Sequence, residues 1–492
     1  MKRTITPGMT LRLKRIAAAI GAAGTILMAL AHPAQAQAQA QTQSLRAAPV
    51  RAAEQTISLP QAEMEKLVAA YALVKQNYVG KADDTALFEG AISGMLASLD
   101  AHSQYMTSDD MRDLDREDSG KYVGIGIEVE VDRDWMRVVS TNEDSPAARA
   151  GIVAGDIIAS IDGVDVGGMS GSEVARRMHG EPGSIVTVGI ARGAEPGRSR
   201  KLLTLRLTRA PLRNDTVQTR MAAPGLPWIR ISQFGGNTGA DLAAALKKLD
   251  GKDAPRGLIL DLRNDPGGLV PAAVSVAGAF LAPGTVLFTA RGQRQGSNAS
   301  VTVDPRYYRE SGQPDVLAGL PAWTRTVPLT VLVNGASASA AELVAGALQD
   351  QRRATVVGSQ TFGKGSIQTV IPLGDDSGIK FTVARYFTPN GREIQARGIT
   401  PDIVVTPKAG EDDELLLREA DLAKHLPASS DAPAVKAPHA PLESTRTFGT
   451  REDQALHAAL ALLAPQDSHA PTLAGLLRKW SEELKPGTGG AP

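Results

Sequence analysis

Between residues 225 and 405, short apolar runs alternate with helix-like stretches, and that alternation constrains the fold more than anything else in the chain. "RGLILDLRNDPGG" reads as a strand ending in a turn, followed by the helical "LVPAAVSVAGAFL". "VPLTVLVNG" reads as a continuous apolar strand followed by the helical "SAAELVAGALQD", and "RATVVG" and "SIQTVIPL" are strands on either side of "SQTFGKG". Strands without a polar alternate are covered on both faces, which predicts an α/β layer fold with ligands beyond the strand C-termini.

The flanking segments read differently. "QAEMEKLVAAYALVKQNYV" sets Met64, Leu67, Val68, Tyr71, Val74 and Tyr78 on one helical face, and "ALFEGAISGMLASLD" follows as a second helix; both predict a helical cap packed on a neighbour. In 119–208, "YVGIGIEVEV" alternates like a strand and "SPAARAG" is a short helix capped by Ser145 and ended by Gly151. "GDIIASIDGVDV" forms two strands about an Asp-Gly turn, "SGSEVARRMHG" a helix and "SIVTVGIARG" a strand. This order resembles a PDZ domain. The resemblance implies that backbone N–H groups of Gly124, Ile125, Gly126 and Ile127 receive the terminal carboxylate of a peptide that adds a strand alongside. Beyond 410, a charged helix is expected around 411–425, an amphipathic one around 452–463, and disorder at "KPGTGGAP".

The N-terminus has the makeup of a secretory signal. Lys2, Arg3, Arg12, Lys14 and Arg15 precede "IAAAIGAAGTILMALA", and "PAQAQAQA" offers small-residue cleavage sites near Ala36. The apolar core, about 16 residues, is short for a span of about 20. A periplasmic or otherwise exported chain is expected, and peripheral membrane association is compatible with it. Lys plus Arg equals Asp plus Glu at 53 each, and no basic stretch carries interleaved aromatics, which argues against nucleic acid as a partner. With no Cys there is no disulfide and no thiol nucleophile.

Histidine placement narrows the chemistry. His32, His102, His179, His425, His439, His457 and His469 leave the α/β block without a histidine of its own. A Ser-His-Asp triad or a histidine-rich zinc site within that block is therefore excluded, and no metal or cofactor is called for. Lysine can replace histidine as base, because desolvation disfavours the charged amine. Lys364 in "TFGKGSIQ" is the candidate, though an ordinary lysine in a Gly-rich turn looks the same locally. "GSQTFGKG" falls short of a phosphate-binding loop: Gly365 stands where Ser/Thr belongs and a strand follows. Ser339 with Glu342 fits an S-x-x-E capping box, a structural role compatible with catalysis at a helix N-terminus. A second oxyanion donor could come from Gly267 or Gly268.

Together "LILDLRNDPGGL", "VLVNGASASAAELVAGALQD", "VVGSQTFGKGSIQ", "TPNGREIQARGITPDI" and "LDAHSQYMT" resemble the carboxyl-terminal processing peptidases, over roughly 60–405. These tail-specific serine proteases carry an inserted PDZ domain. The resemblance implies a crotonase/ClpP-like α/β catalytic core, with the PDZ domain inserted and a helical region before it. It implies Ser339 as nucleophile, Lys364 as base, Gln368 orienting the lysine, and Gly268 and Ala340 as the oxyanion hole. Ser337 becomes a loop hydroxyl, and His102 a structural histidine. The departures are Ala336 and Ala341 in the serine loop and Asp265 in "RNDPGG".

The expected segments are a signal peptide at 1–36, a linker at 37–58, the helical region at 59–118, the PDZ domain at 119–208, the peptidase core at 209–408 and a tail at 409–492. The expected partners are proteins or peptides with accessible C-termini. A periplasmic adaptor protein and a homo-oligomer are compatible with the sequence, which carries no signature of either. The rival reading is a catalytically silent PDZ scaffold that binds peptide C-termini.

Overall fold

The computed structural model describes residues 60–464, apart from 120, 133–134, 142–144, 154, 170, 193–200, 214, 252–253, 294–297, 375, 406–416, 430–447 and 451. The signal-like N-terminus, the linker and the last 28 residues, 465–492, lie outside the described residues.

The expected layer fold is built on a six-stranded sheet. Its order is Val217–Ala223, Leu226–Ile231, Leu258–Asp261, Leu329–Val333, Thr355–Gly358 and Ile403–Val404. The first pair is antiparallel and all later pairs are parallel. Ile229, Leu260, Val331 and Val356 form one row across four strands, each without exposure. That row joins Leu246, Val274 and Leu343, from the helices Thr238–Lys248, Val270–Gly278 and Ala340–Asp350, in one core. The alternate residues Trp228, Ile259, Leu332 and Val357 face the other way and meet Leu456 and Leu460 of the helix Gln454–Leu463. The expected amphipathic helix thus closes the second face, and both faces of the apolar strands are covered.

A second sheet carries the candidate lysine. Ser366–Pro372 pairs antiparallel with Gly378–Phe387, which also pairs with Val286–Gly292 and with Gln104–Met106. The "DAHSQYM" stretch thereby joins the sheet into which the Lys364 loop leads.

Residues 121–213 form a strand-rich unit around a separate core that includes Ile125, Val138, Ile158, Val174 and Val188. Ser145 caps the helix Pro146–Arg149, its hydroxyl accepting the Ala148 N–H at 3.1 Å. Asp162 and Gly163 take positive φ (50° and 81°), the twist that a tight hairpin needs.

Two expectations are corrected. The helix Gln61–Asn77 forms, yet it buries none of its residues; Val68 is 61 % exposed. It meets Asp84–Ala97 through Tyr71, against Phe88 and Asp84, and through Lys75, against Asp84. Among the described residues, Tyr71 is the member of its apolar stripe seen packed on a neighbouring ring, so the expected packing is met only in part. The charged stretch around 411–425 is not helical over 417–425, where a single 3-10 turn, Glu419–Asp421, is seen; residues 411–416 lie outside the described residues. Its backbone bonds to the core instead, as described below.

Candidate active site

Two strands of the parallel sheet end side by side, and their turns interlock. After Leu258–Asp261, the Asn264 side-chain carbonyl accepts from Asn334 Nδ2 at 2.7 Å, and the Asn264 N–H donates to Asn334 Oδ1 at 3.0 Å. Ala338 N–H donates to the Asp265 carbonyl at 2.9 Å. Ser337 is fully buried; its hydroxyl donates to the Leu262 carbonyl (2.7 Å) and accepts the Asn334 N–H (2.9 Å). Ser337 thus shapes the turn, as the sequence suggested.

Ser339 sits where the loop becomes the helix Ala340–Asp350. Its φ is +51°, a conformation that costs a non-glycine residue on the order of 1–3 kcal/mol and persists only where surroundings enforce it. The enforcing contacts are visible. Glu342 makes the carboxylate half of a capping box, the Ser339 N–H donating to its Oε2 at 2.9 Å. From the other side the Gly267-Gly268 turn presses in: a Cβ on Gly267 (φ +96°) would lie 2.8 Å from Ser339 Cβ and 2.8 Å from Ala340 N. Glycine is required here by close approach as well as by φ. Among the described residues, neither Gly268 N–H nor Ala340 N–H donates to another protein group. Asp265, inside this turn, accepts the Gly267 N–H at 2.8 Å, and burial holds its carboxyl well above the usual carboxylate range.

The lysine loop reaches the same place through one carboxylate. Glu342 is fully buried, and its Oε1 accepts from the Thr361 hydroxyl (2.5 Å) and Gly363 N–H (2.8 Å). Its Oε2 accepts from both Ser339 N–H and Lys364 N–H, each at 2.9 Å. The backbone nitrogens of Ser339 and Lys364 are therefore no farther apart than twice 2.9 Å. Phe362 N–H adds a bond to the Ser337 carbonyl at 3.0 Å. Burial pushes Glu342 up to about 7, against four donors that favour its ionised form.

Lys364 is partly buried, and desolvation lowers its pKa, with Lys380 acting the same way and Glu419 and Glu342 opposing. Its amine and the Ser339 hydroxyl are not hydrogen-bonded to one another in this structure. Gln368 donates to the hydroxyls of Ser366 (2.8 Å) and Thr382 (3.3 Å), not to Lys364. The structure thus brings the backbones of Ser339, Ala340 and Lys364 together beside the Gly267-Gly268 turn and leaves Gln368 engaged elsewhere.

His102 has its partner: its Nε2 lies 2.8 Å from Glu419, whose side chain is wholly buried. Glu419 was missed in the sequence, because nothing local to its charged stretch marks it. Glu342 was seen as a cap, but its grip on the lysine loop joins segments too far apart for any local pattern. In the strand-rich unit, neither Ile125 nor Gly126 donates its N–H to another described residue. Gly126 has φ +78°, and a Cβ there would strike Ser145 Cβ at 2.3 Å.

Residues 226–405 match peptidase family S41, 137–192 match the PDZ domain, and 18–110 match the N-terminal domain of the activating protease CtpB. The chain is 39 % identical over 406 residues to a carboxy-terminal-processing protease of Bartonella bacilliformis, covering 81 % of this chain and 87 % of that one. It belongs to peptidase family S41, among the carboxy-terminal-processing proteases. The carboxy-terminal processing protease CtpB of Bacillus subtilis is 33 % identical over 365 residues, 73 % of this chain and 71 % of that one. The photosystem II D1 C-terminal processing protease superposes with a TM-score of 0.42 at 31 % identity, over 70 % of this chain and 93 % of that one. The S41 segment covers the parallel strands and the interlocked turns, so Ser339, Lys364 and the Gly267-Gly268 turn lie within the peptidase domain.

Proposed function

We propose that this S41 protease is an exported serine endopeptidase that takes up the C-terminal segment of a protein through its PDZ domain and cuts with a Ser-Lys centre. The observation that carries the reading is the shared Glu342 carboxylate, which holds the backbones of Ser339 and Lys364 at one point. Ser339 Oγ attacks the peptide carbonyl as its proton passes to neutral Lys364 Nζ. The oxyanion is received by the Gly268 and Ala340 N–H groups, then collapses as the lysine returns the proton to the leaving amine. Water, deprotonated by the same amine, releases the acyl group and restores the hydroxyl. Gln368 steadies the amine once it has turned toward Ser339. Catalytic hydrogen bonds commonly tighten only with substrate bound, so the serine–lysine bond forms when peptide engages.

The rival, a silent PDZ scaffold, draws on the unformed Ser339–Lys364 hydrogen bond. Tail-bearing peptide cleavage by wild type, Ser339→Ala and Lys364→Ala decides between them. The peptidase reading expects loss in both variants with peptide binding retained; a scaffold gives no cleavage in any of the three. Export rests on the N-terminal pattern, and the mass of the mature chain should place its first residue just after Ala36.

A further inference from the structure

Lys364 is held by more than Glu342. Two residues before it, the Phe362 carbonyl accepts the Glu419 N–H at 3.1 Å. One residue after it, the Gly365 N–H donates to Gln395 Oε1 at 3.0 Å. There is no room for a side chain at that point, since a Cβ on Gly365 would lie 2.1 Å from the Gln395 nitrogen. Gln395, itself fully buried, turns its amide to Glu419 Oε1 at 2.8 Å and to the Leu426 carbonyl at 2.9 Å. The other Glu419 oxygen meets His102 Nε2 at 2.8 Å, and the His102 N–H is fixed by Asp100 at 2.9 Å. Glu419 lies outside the 226–405 peptidase match, and His102 lies in the match to the CtpB N-terminal domain. Segments 317 residues apart thus converge on Glu419, whose backbone N–H holds one flank of the candidate base and whose carboxylate holds the other through Gln395.

We propose that Glu419, paired with His102, is a positioning residue for Lys364: it fixes the loop and supplies a negative charge that tunes the amine. The proposal rests on Lys364 being the base. The groups facing that amine are Lys380 on Gly378–Phe387, Glu342 on Ala340–Asp350, and Glu419; His102 faces Glu419 in turn. Burial and Lys380 favour the neutral amine, while the two carboxylates favour the charged one. The N-terminal region therefore acts on the base through the single His102–Glu419 contact, and whatever moves residues 99–106 alters the pH at which the enzyme works.

The test is the pH profile of kcat/KM for a tail-bearing peptide, measured on the full chain. Glu419→Gln keeps an acceptor for Gln395 and removes the charge, so the ascending limb should move to lower pH, with a severalfold gain over wild type on its acid side. His102→Arg places a permanent cation on Glu419 and should move the limb the same way; His102 is 17 % exposed and admits the longer chain even if Glu419→Gln does not fold. Glu419→Asp keeps charge but loses reach, so it should be slower with an unmoved limb, and KM should hold in all three. If Glu419→Gln and His102→Arg only lose rate, with the limb fixed, the proposal is overturned and the Ser-Lys reading stands. A wild type whose cleavage survives Ser339→Ala or Lys364→Ala removes that reading, and this proposal with it.

Discussion

Replacing Glu342 by glutamine tests whether one carboxylate assembles the site. Four donors converge on it, two on each oxygen. A glutamine amide keeps one oxygen, so one pair of donors must face an NH2 group, whichever way it turns. Each buried donor left unmatched costs about 1–3 kcal/mol, which gives a loss of roughly 2–6 kcal/mol. Titration supplies a second, independent reading. Glu342 is raised from 4.5 to about 7 in the folded chain, so the native state holds its proton more tightly than the unfolded state does. Stability from this group is therefore fully present below pH 4.5 and falls until about pH 7, by about 3 kcal/mol at 1.36 kcal/mol per unit. Other carboxylates titrate in the same window, so the quantity to measure is the difference in urea-unfolding free energy between wild type and Glu342→Gln across pH 4 to 8. The glutamine variant should lie furthest below wild type at the acid end, and the gap should narrow toward neutrality. Cleavage should fall at least tenfold at every pH, because Ser339 and Lys364 lose their common anchor. A variant with wild-type activity and a pH-independent gap would refute the clamp.

Gly267→Ala places a Cβ 2.7 Å from the Ala338 carbonyl and 2.8 Å from Ser339 Cβ at φ +96°; kcat should collapse while the PDZ-bound peptide affinity, read by fluorescence anisotropy, is unchanged. Gly126→Ala should do the reverse, weakening peptide capture through its clash with Ser145 while a small active-site serine reagent still labels Ser339 at the wild-type rate. Asp453→Ala removes the cap of Gln454–Leu463 and one of the two carboxylates on buried Arg263. A loss of about 3–5 kcal/mol in urea unfolding is expected, with hydrogen exchange rising first in that helix. A change under 1 kcal/mol would show that Asp261 alone suffices for the guanidinium.

What the sequence made legible follows from the range over which each signal acts. The apolar strands and the Asp-Gly turn were readable because burial on two faces and positive φ leave local marks. Ser337 and Ser339 could be told apart only through a family pattern, since both are small hydroxyls on one loop; the fold separates them, one buried between two turns and one strained at a helix start. The helix Gln61–Asn77 shows the opposite limit, because its stripe of spacing announced a buried face, and among the described residues only Tyr71 of that stripe is seen packed on a neighbouring ring. Glu342 and Glu419 mark where local reading ends. Glu419 stands in a charged stretch, indistinguishable in sequence from a solvated face, and Glu342 reads only as a helix cap, yet each is fully buried because several donors from distant segments converge on it. Burying a carboxylate is unfavourable unless such donors are assembled beforehand. The site therefore exists only when the sheet, the lysine loop and the 417–429 segment are all in place. A disturbance of the lysine loop or the 417–429 segment should reach Lys364 before it reaches the Ser339 turn, which is tied to Asp265 and Asn264 by bonds of its own.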